Sequence, residues 1–161
     1  MREATPQIAA DIAELYAGEG PRLWRAVFAF THDREVTDDA VAEAFAQCVR
    51  RGDAIRDPRA WVWRSAFRIA AGELQDRRRR FASDLPETTY ELPEEALPLL
   101  RVLRQLPLNQ RAAVVLRHYA GYGTDEIAAL LGNGRATVRV HLSRGRKRLR
   151  ELLDEEGRND A

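Results

Sequence analysis

Apolar residues recur at intervals of three and four along almost the whole of this sequence, and no run of alternating β-branched residues is long enough to make a convincing strand. The chain is therefore predicted to be all-α, with proline and glycine marking where helices begin and stop. Ile8, Ile12, Leu15 and Tyr16 predict a first helix, and Leu23, Trp24, Val27, Phe28 and Phe30 a second that Pro21 opens. Thr37-Asp38-Asp39 reads as the start of a third, whose stripe of Val41, Ala44, Phe45, Cys48 and Val49 makes Cys48 a small buried apolar residue with no redox role. Pro58 opens a helix that runs to about Arg80 and carries Trp61, Val62, Phe67, Ile69, Ala70 and Leu74.

From about Phe81 to Pro98 the chain has three prolines, five acidic residues and no basic one, a composition that predicts an extended or disordered linker. The expected organisation is thus two small helical domains, 1–80 and 99–157, joined by an acidic linker over 81–98. After the linker, Leu99, Leu100, Leu103 and Leu106 break at Pro107, and Ala113, Val114, Leu116 and Tyr119 lead to Gly121-Tyr122-Gly123. A short helix follows, capped by Gly123 or Thr124 with Glu126 placed to reach back, and it ends at Gly132-Asn133-Gly134. The last helix, Arg135 to about Leu153, sets Val138, Leu142, Gly145, Leu149 and Leu152 on one side.

A net charge of +1 over 161 residues argues, at face value, against nucleic acid as a partner. Its distribution reverses that inference. Residues 50–80 carry 10 basic against 4 acidic side chains and residues 101–150 carry 11 against 2, while the segments around them are acidic. Arginine supplies 25 of the 26 basic residues, which suits bidentate contacts to phosphates and bases. No stretch approaches the roughly 20 apolar residues of a membrane span, so no membrane insertion is expected, and Met1–Pro6 lacks the apolar core of a signal peptide, so a cytoplasmic protein is expected. One cysteine and three scattered histidines make neither a disulfide nor a structural metal site, and no cofactor is implied.

A short helix, a glycine turn and an arginine-rich second helix form the helix-turn-helix pattern, in which the second helix enters the DNA major groove. With the Val138/Leu142/Gly145/Leu149 stripe facing the core, Arg135, Ala136, Arg139, Val140 and Ser143 point outward near the helix start, where base edges are read. Arg144, Arg146, Lys147, Arg148 and Arg150 lie further along and are better placed for phosphates. Thr124 and Asp125 open the first helix of the motif, whose amides can hold a phosphate.

These residues carry a resemblance. Leu106-Pro107-Leu108-Asn109-Gln110-Arg111, Val115-Leu116-Arg117, Asp125-Glu126-Ile127-Ala128, Leu131-Gly132 and Thr137-Val138-Arg139 through Arg144-Gly145-Arg146-Lys147-Arg148-Leu149 resemble the C-terminal helix-turn-helix of extracytoplasmic-function sigma factors. In the N-terminal half, Asp39, Glu43 and Phe45, Pro58-Arg59-Ala60-Trp61 and the arginine run from Arg77 to Arg80 resemble the family's first conserved domain.

The resemblance implies an initiation subunit of bacterial RNA polymerase, with no chemistry of its own. The N-terminal domain would dock on the clamp helices of the largest subunit through the third helix, with Asp38, Asp39 and Glu43 facing a basic partner, and would melt the minus-10 element. The C-terminal domain would contact the polymerase flap and read the minus-35 element, and an anti-sigma factor is an expected partner. Arg59, Arg64, Arg68, Arg77 and Arg78 suit the backbone of a separated strand. Trp61 and Trp63, two apart, cannot share a helix face, so one belongs to the core and the other is open to an unstacked base. The sequence departs from the family pattern at Ala42, Val49, Arg68 and Gly134-Arg135, where glutamine, tryptophan, asparagine and Ser-Pro are usual.

Three other functions compete. An enzyme lacks a site here: Gly132–Thr137 has no Lys-Ser/Thr of a phosphate loop, and His32, His118 and His141 have no partners at catalytic spacing. An autonomous helix-turn-helix regulator predicts dimeric binding to a palindrome without polymerase. A degenerate sigma-like protein predicts binding to an anti-sigma partner without initiation.

Overall fold

The computed structural model describes residues 6–80 and 94–161, and at 78–80 the backbone alone. The described residues are helical, with no strand among them, and fall into two compact units, one within residues 1–86 and the other within 87–161. Residues 81–93, most of the predicted acidic linker, lie outside the described residues, as does the side chain of Arg78.

The N-terminal unit is built from α1 (Pro6–Thr31), α2 (Arg34–Arg51) and α3 (Pro58–Arg80), with a single 3-10 turn at Gly52–Ala54 before α3. The two helices expected before residue 31 are one. Pro21 lies inside α1, where the missing amide and the clash with the preceding turn cost about 3 kcal/mol or more. Ile12 on one side of it and Leu23, Ala26, Val27 and Phe30 on the other are all buried, and that burial keeps the two halves in one helix.

The start of α2 is also earlier than the sequence suggested. Asp33, with extended backbone, is its N-cap and accepts from the Val36 amide at 3.0 Å. The Thr31 and Thr37 hydroxyls meet at 2.7 Å, and Thr37 donates to the Asp33 carbonyl at 2.7 Å. Thr37 is thus a buried residue inside the first turns of α2, not the cap in front of it. Cys48 is buried, and burial pushes its thiol up, away from the reactive thiolate.

The C-terminal unit contains α4 (Leu97–Arg104), α5 (Leu108–His118), α6 (Thr124–Leu131) and α7 (Arg135–Asn159). Residues 94–98, assigned to the linker on composition, are helical: a 3-10 turn at Glu94–Ala96 leads into α4, which holds Pro98 in its first turn, where a missing amide costs nothing. The α4 helix packs on α7, and its Val102 and Leu103 are buried. At the far end α7 runs past the predicted Leu153 to Asn159, because Leu152 is buried and Glu156 meets Arg101 of α4 at 3.7 Å.

Arg111, the last residue of the Leu-Pro-x-x-Gln-Arg element, is buried. Its Nε donates to the Leu103 carbonyl at 2.8 Å, and its Nη2 to the Arg104 and Leu106 carbonyls at 2.7 and 3.1 Å. These carbonyls lie at and just past the end of α4, where that of Leu103 also takes the Leu106 amide at 3.1 Å, and a planar fork with several donors suits them. Arg111 therefore fixes α5 to the end of α4.

Candidate nucleic-acid interface

The turn between α6 and α7 depends on one backbone conformation. Gly132 stands at φ 69°, ψ 27°, in the left-handed region that costs other residues a Cβ clash. Its amide and that of Asn133 both return to the Ala128 carbonyl, closing α6 and turning the chain into α7. At the other end of α6, Glu126 accepts from the Gly123 amide at 3.3 Å, the half of a capping box that a glycine cap allows.

Val138, Leu142, Gly145 and Leu152 of α7 are buried and Leu149 is half-buried, so the predicted core stripe is the one observed. Arg135, Ala136, Arg139, Val140, Ser143, Arg144 and Lys147 are all exposed. By helical geometry they occupy roughly half the helix circumference, opposite the buried stripe. The structure thus brings all seven onto one face, basic at the start and again after Ser143, with two apolar side chains, Ala136 and Val140, among the charges.

The first-helix pair, Thr124 and Asp125, comes out differently. Thr124 is half-buried at the start of α6, beside amides that can take a phosphate. Asp125 is engaged by Arg135 of α7, carboxylate against guanidinium, so it is tied to the exposed face of α7.

In the N-terminal unit the predicted strand-binding set divides. Trp63 is fully buried, stacked on Phe67 at 6.3 Å between centroids, and its indole N–H donates to Glu19 at 3.0 Å. It belongs to the core and is not available to a base. Arg59 pairs with the same Glu19 at 3.0 Å, and although burial pushes the Glu19 carboxyl up, the bonds from Trp63 and Arg59 outweigh it and hold it below the usual range. Arg77 reaches back to α2, to Asp33 at 2.7 Å and Glu35 at 3.0 Å, and is mostly buried. Arg59 and Arg77 lie at equivalent angles on α3, both turned to carboxylates, and their first role is to join helices.

The other predicted residues lie on the opposite side of α3. Arg64 and Arg68 are exposed, and half-buried Trp61 is one turn before Arg64 on the same face. The Arg51 guanidinium lies over the Trp61 ring at 5.6 Å from its centroid. Sequence reasoning missed Arg51 because the turn at 52–57, and not any local spacing, carries it to Trp61.

The predicted polymerase-facing carboxylates also separate. Asp39 and Glu43 are one turn apart on α2, whereas Asp38 points away from them, takes the Trp24 indole N–H at 2.7 Å and lies 3.7 Å from Arg34. Gln47 and Arg50 bond Glu43 at 2.9 and 2.7 Å and hold its carboxyl below the usual range. Burial, and after it the like charge of Asp39, push the Glu73 carboxyl on α3 up; Arg77 opposes the shift, and Asp33 and Glu35 add to it.

The fold and this face define a helical, helix-turn-helix DNA-binding protein of two units. The Sigma-70, region 4 family matches residues 96–149. The ECF RNA polymerase sigma factor SigM of Mycobacterium tuberculosis is 30% identical over 150 residues, which cover 87% of this chain and 76% of that one. SigL of the same organism, also an ECF RNA polymerase sigma factor, is 29% identical over 167 residues, 92% of each chain. Among solved structures, the sigma factor RpoE of Bartonella quintana, in complex with the anti-sigma factor NepR, superposes with a TM-score of 0.79 at 20% identity over 89% of this chain and 97% of that one. CnrH, in complex with the cytosolic domain of CnrY, gives 0.62 at 26% identity over 89% and 88%. The chain belongs to the extracytoplasmic-function RNA polymerase sigma factors, the non-enzymatic subunits of transcription initiation. No helix of the described residues is long and apolar enough to cross a membrane.

Proposed function

We propose that the protein binds core RNA polymerase in the cytoplasm and directs promoter-specific initiation, its C-terminal unit reading the minus-35 element and its N-terminal unit opening the minus-10 element. The observation that carries this is the outward face of α7, seven exposed residues opposite a buried stripe, on a helix set by the Gly132 turn. Arg135, Ala136, Arg139 and Val140 are placed for base edges, and Arg144 and Lys147 for phosphates. Trp61, Arg64 and Arg68 form the face of α3 that would meet the separated strand, with Arg51 beside them. Asp39 and Glu43 are the carboxylates of α2 that would face the polymerase clamp helices, and the flap would take the C-terminal unit. Because RpoE was solved with the anti-sigma factor NepR, and CnrH with the cytosolic domain of CnrY, an anti-sigma factor is a further expected partner.

Run-off transcription with core polymerase tests this, with start-site sequencing to expose the two promoter elements. A transcript that appears only when the protein and core enzyme are combined is the expected result. Absence of transcript on every template would leave a sequestering sigma-like protein, and tight palindromic binding by the free protein as a dimer would leave an autonomous regulator.

A further inference from the structure

Arg135 is the first residue of α7 and Asp125 the second of α6, and both side chains are 62% exposed. The guanidinium Nε faces one carboxylate oxygen of Asp125 and Nη2 faces the other. This is a two-point contact along the side edge of the guanidinium, and Asp125 is the sole partner that Arg135 has among the described residues. The side edge consumes the Nε hydrogen and one hydrogen of Nη2. The end edge, one hydrogen each from Nη1 and Nη2, stays parallel and open, and that pair of donors matches O6 and N7 of a guanine in the major groove.

The geometry points to Asp125 as a positioning residue that fixes Arg135 for a guanine of the upstream promoter element, a proposal that rests on α7 being the reading helix. Three physical effects favour the arrangement. An arginine in the first turn of a helix is repelled by the positive end of the helix dipole, and the Asp125 charge offsets this. A carboxylate is itself favoured in the first turn of α6. Finally, a free arginine must give up its rotamer freedom on binding, whereas one already held along its side edge has given it up beforehand. The pairing also cancels a negative charge that would otherwise face the DNA backbone.

The test uses the complete chain assembled with core polymerase. The probe is a pool of duplexes with the upstream element randomised and the downstream part fixed to a promoter mapped by run-off transcription. Bound duplexes are sequenced for the wild type and for Asp125→Asn, Asp125→Glu, Arg135→Ala and Arg135→Lys. The wild type is expected to favour guanine at one position by roughly tenfold or more. Asp125→Asn, Arg135→Ala and Arg135→Lys should each bring that preference close to none at the same position and leave the others intact, while Asp125→Glu retains part of it.

Thermal melts of the variants should match the wild type, because both residues are exposed. Retention of the full preference by Asp125→Asn, when Arg135→Ala has lost it, would overturn the positioning role. So would a uniform loss across all positions, or no positional change from Arg135→Ala. Failure of the wild-type complex to enrich any upstream element would instead remove the reading of α7 on which the proposal rests.

Discussion

Gly145 of α7 lies against Val114 of α5 so closely that a Cβ at 145 would stand 2.8 Å from Val114 Cγ2 and 3.4 Å from the Gln110 carbonyl oxygen. The absence of a side chain at this position sets how near α7 comes to α5. Gly145→Ala must displace the Val114 side chain or one of the two helices, and overpacking of this kind costs about 1–3 kcal/mol. Denaturant melts should show that loss, and adding Val114→Ala should restore part of it. A single alanine variant as stable as the wild type would show that the contact between Gly145 and Val114 yields at no cost.

Arg111 supports the same unit from another side. Arg111→Ala removes the guanidinium hydrogens that the Leu103, Arg104 and Leu106 carbonyls accept, and the loss should be on the order of 3 kcal/mol. Arg111→Lys should recover little of it, since an ammonium has no planar fork to span three carbonyls. Chemical denaturation of the three proteins decides the matter, and full recovery with lysine would mean that charge alone is required.

The two tryptophans of α3 should separate in two assays. Trp63→Ala removes a fully buried ring and should cost about 3–5 kcal/mol in thermal or denaturant melts. Trp61→Ala should leave stability nearly unchanged and lower promoter opening, followed by the fluorescence of a base analogue in the minus-10 element. Equal opening with and without Trp61 would remove it from the strand-binding face.

Glu73 gives a pH dependence. Burial and the charge of Asp39 raise its folded-state pKa above the unfolded value, so its favourable contribution is complete below the usual carboxylate range and is lost as pH rises through the raised value. Once ionised, Glu73 therefore opposes folding. Glu73→Gln should raise Tm at neutral pH, with the difference closing as the pH falls into the acid range. A variant that melts lower than the wild type at neutral pH would contradict the sign.

Arg139 and Lys147, both on the exposed face of α7, should fail in different ways. Arg139→Ala should reduce discrimination between matched and altered minus-35 elements by about 1–3 kcal/mol. Lys147→Ala should weaken binding to all of them alike and lower the salt slope by about one. Measured by polymerase binding over a range of salt, an equal loss on matched and scrambled elements would show that Arg139 reads no base.

Patterns confined to one helix were legible in the sequence. The four- and three-residue spacing from Val138 to Leu152 predicted which half of α7 is buried, because the buried half of a helix is a local property of its period. Glycine at 132 and proline at 58 likewise marked a turn and a helix start through their own backbone preferences. Pro21 misled for the complementary reason: its local cost is outweighed by burial on both sides of it, which depends on α2 and α3. The helical residues 94–98 were hidden by their acidic, proline-containing composition, although the contacts of α4 lie on α7.

The helical class, the helix-turn-helix and the outward face of its second helix follow from residue spacing within a few turns of chain. Which charged and aromatic residues are committed elsewhere depends on how the helices pack. Glu19 takes Trp63 and Arg59 from 44 and 40 positions away, and Asp33 takes Arg77 from 44 away. Charge and ring type are visible in a sequence, but a long-range pairing depends on which helices pack together. That is why the five arginines of α3 expected on DNA resolve into two that join helices, two that remain exposed and one whose side chain lies outside the described residues.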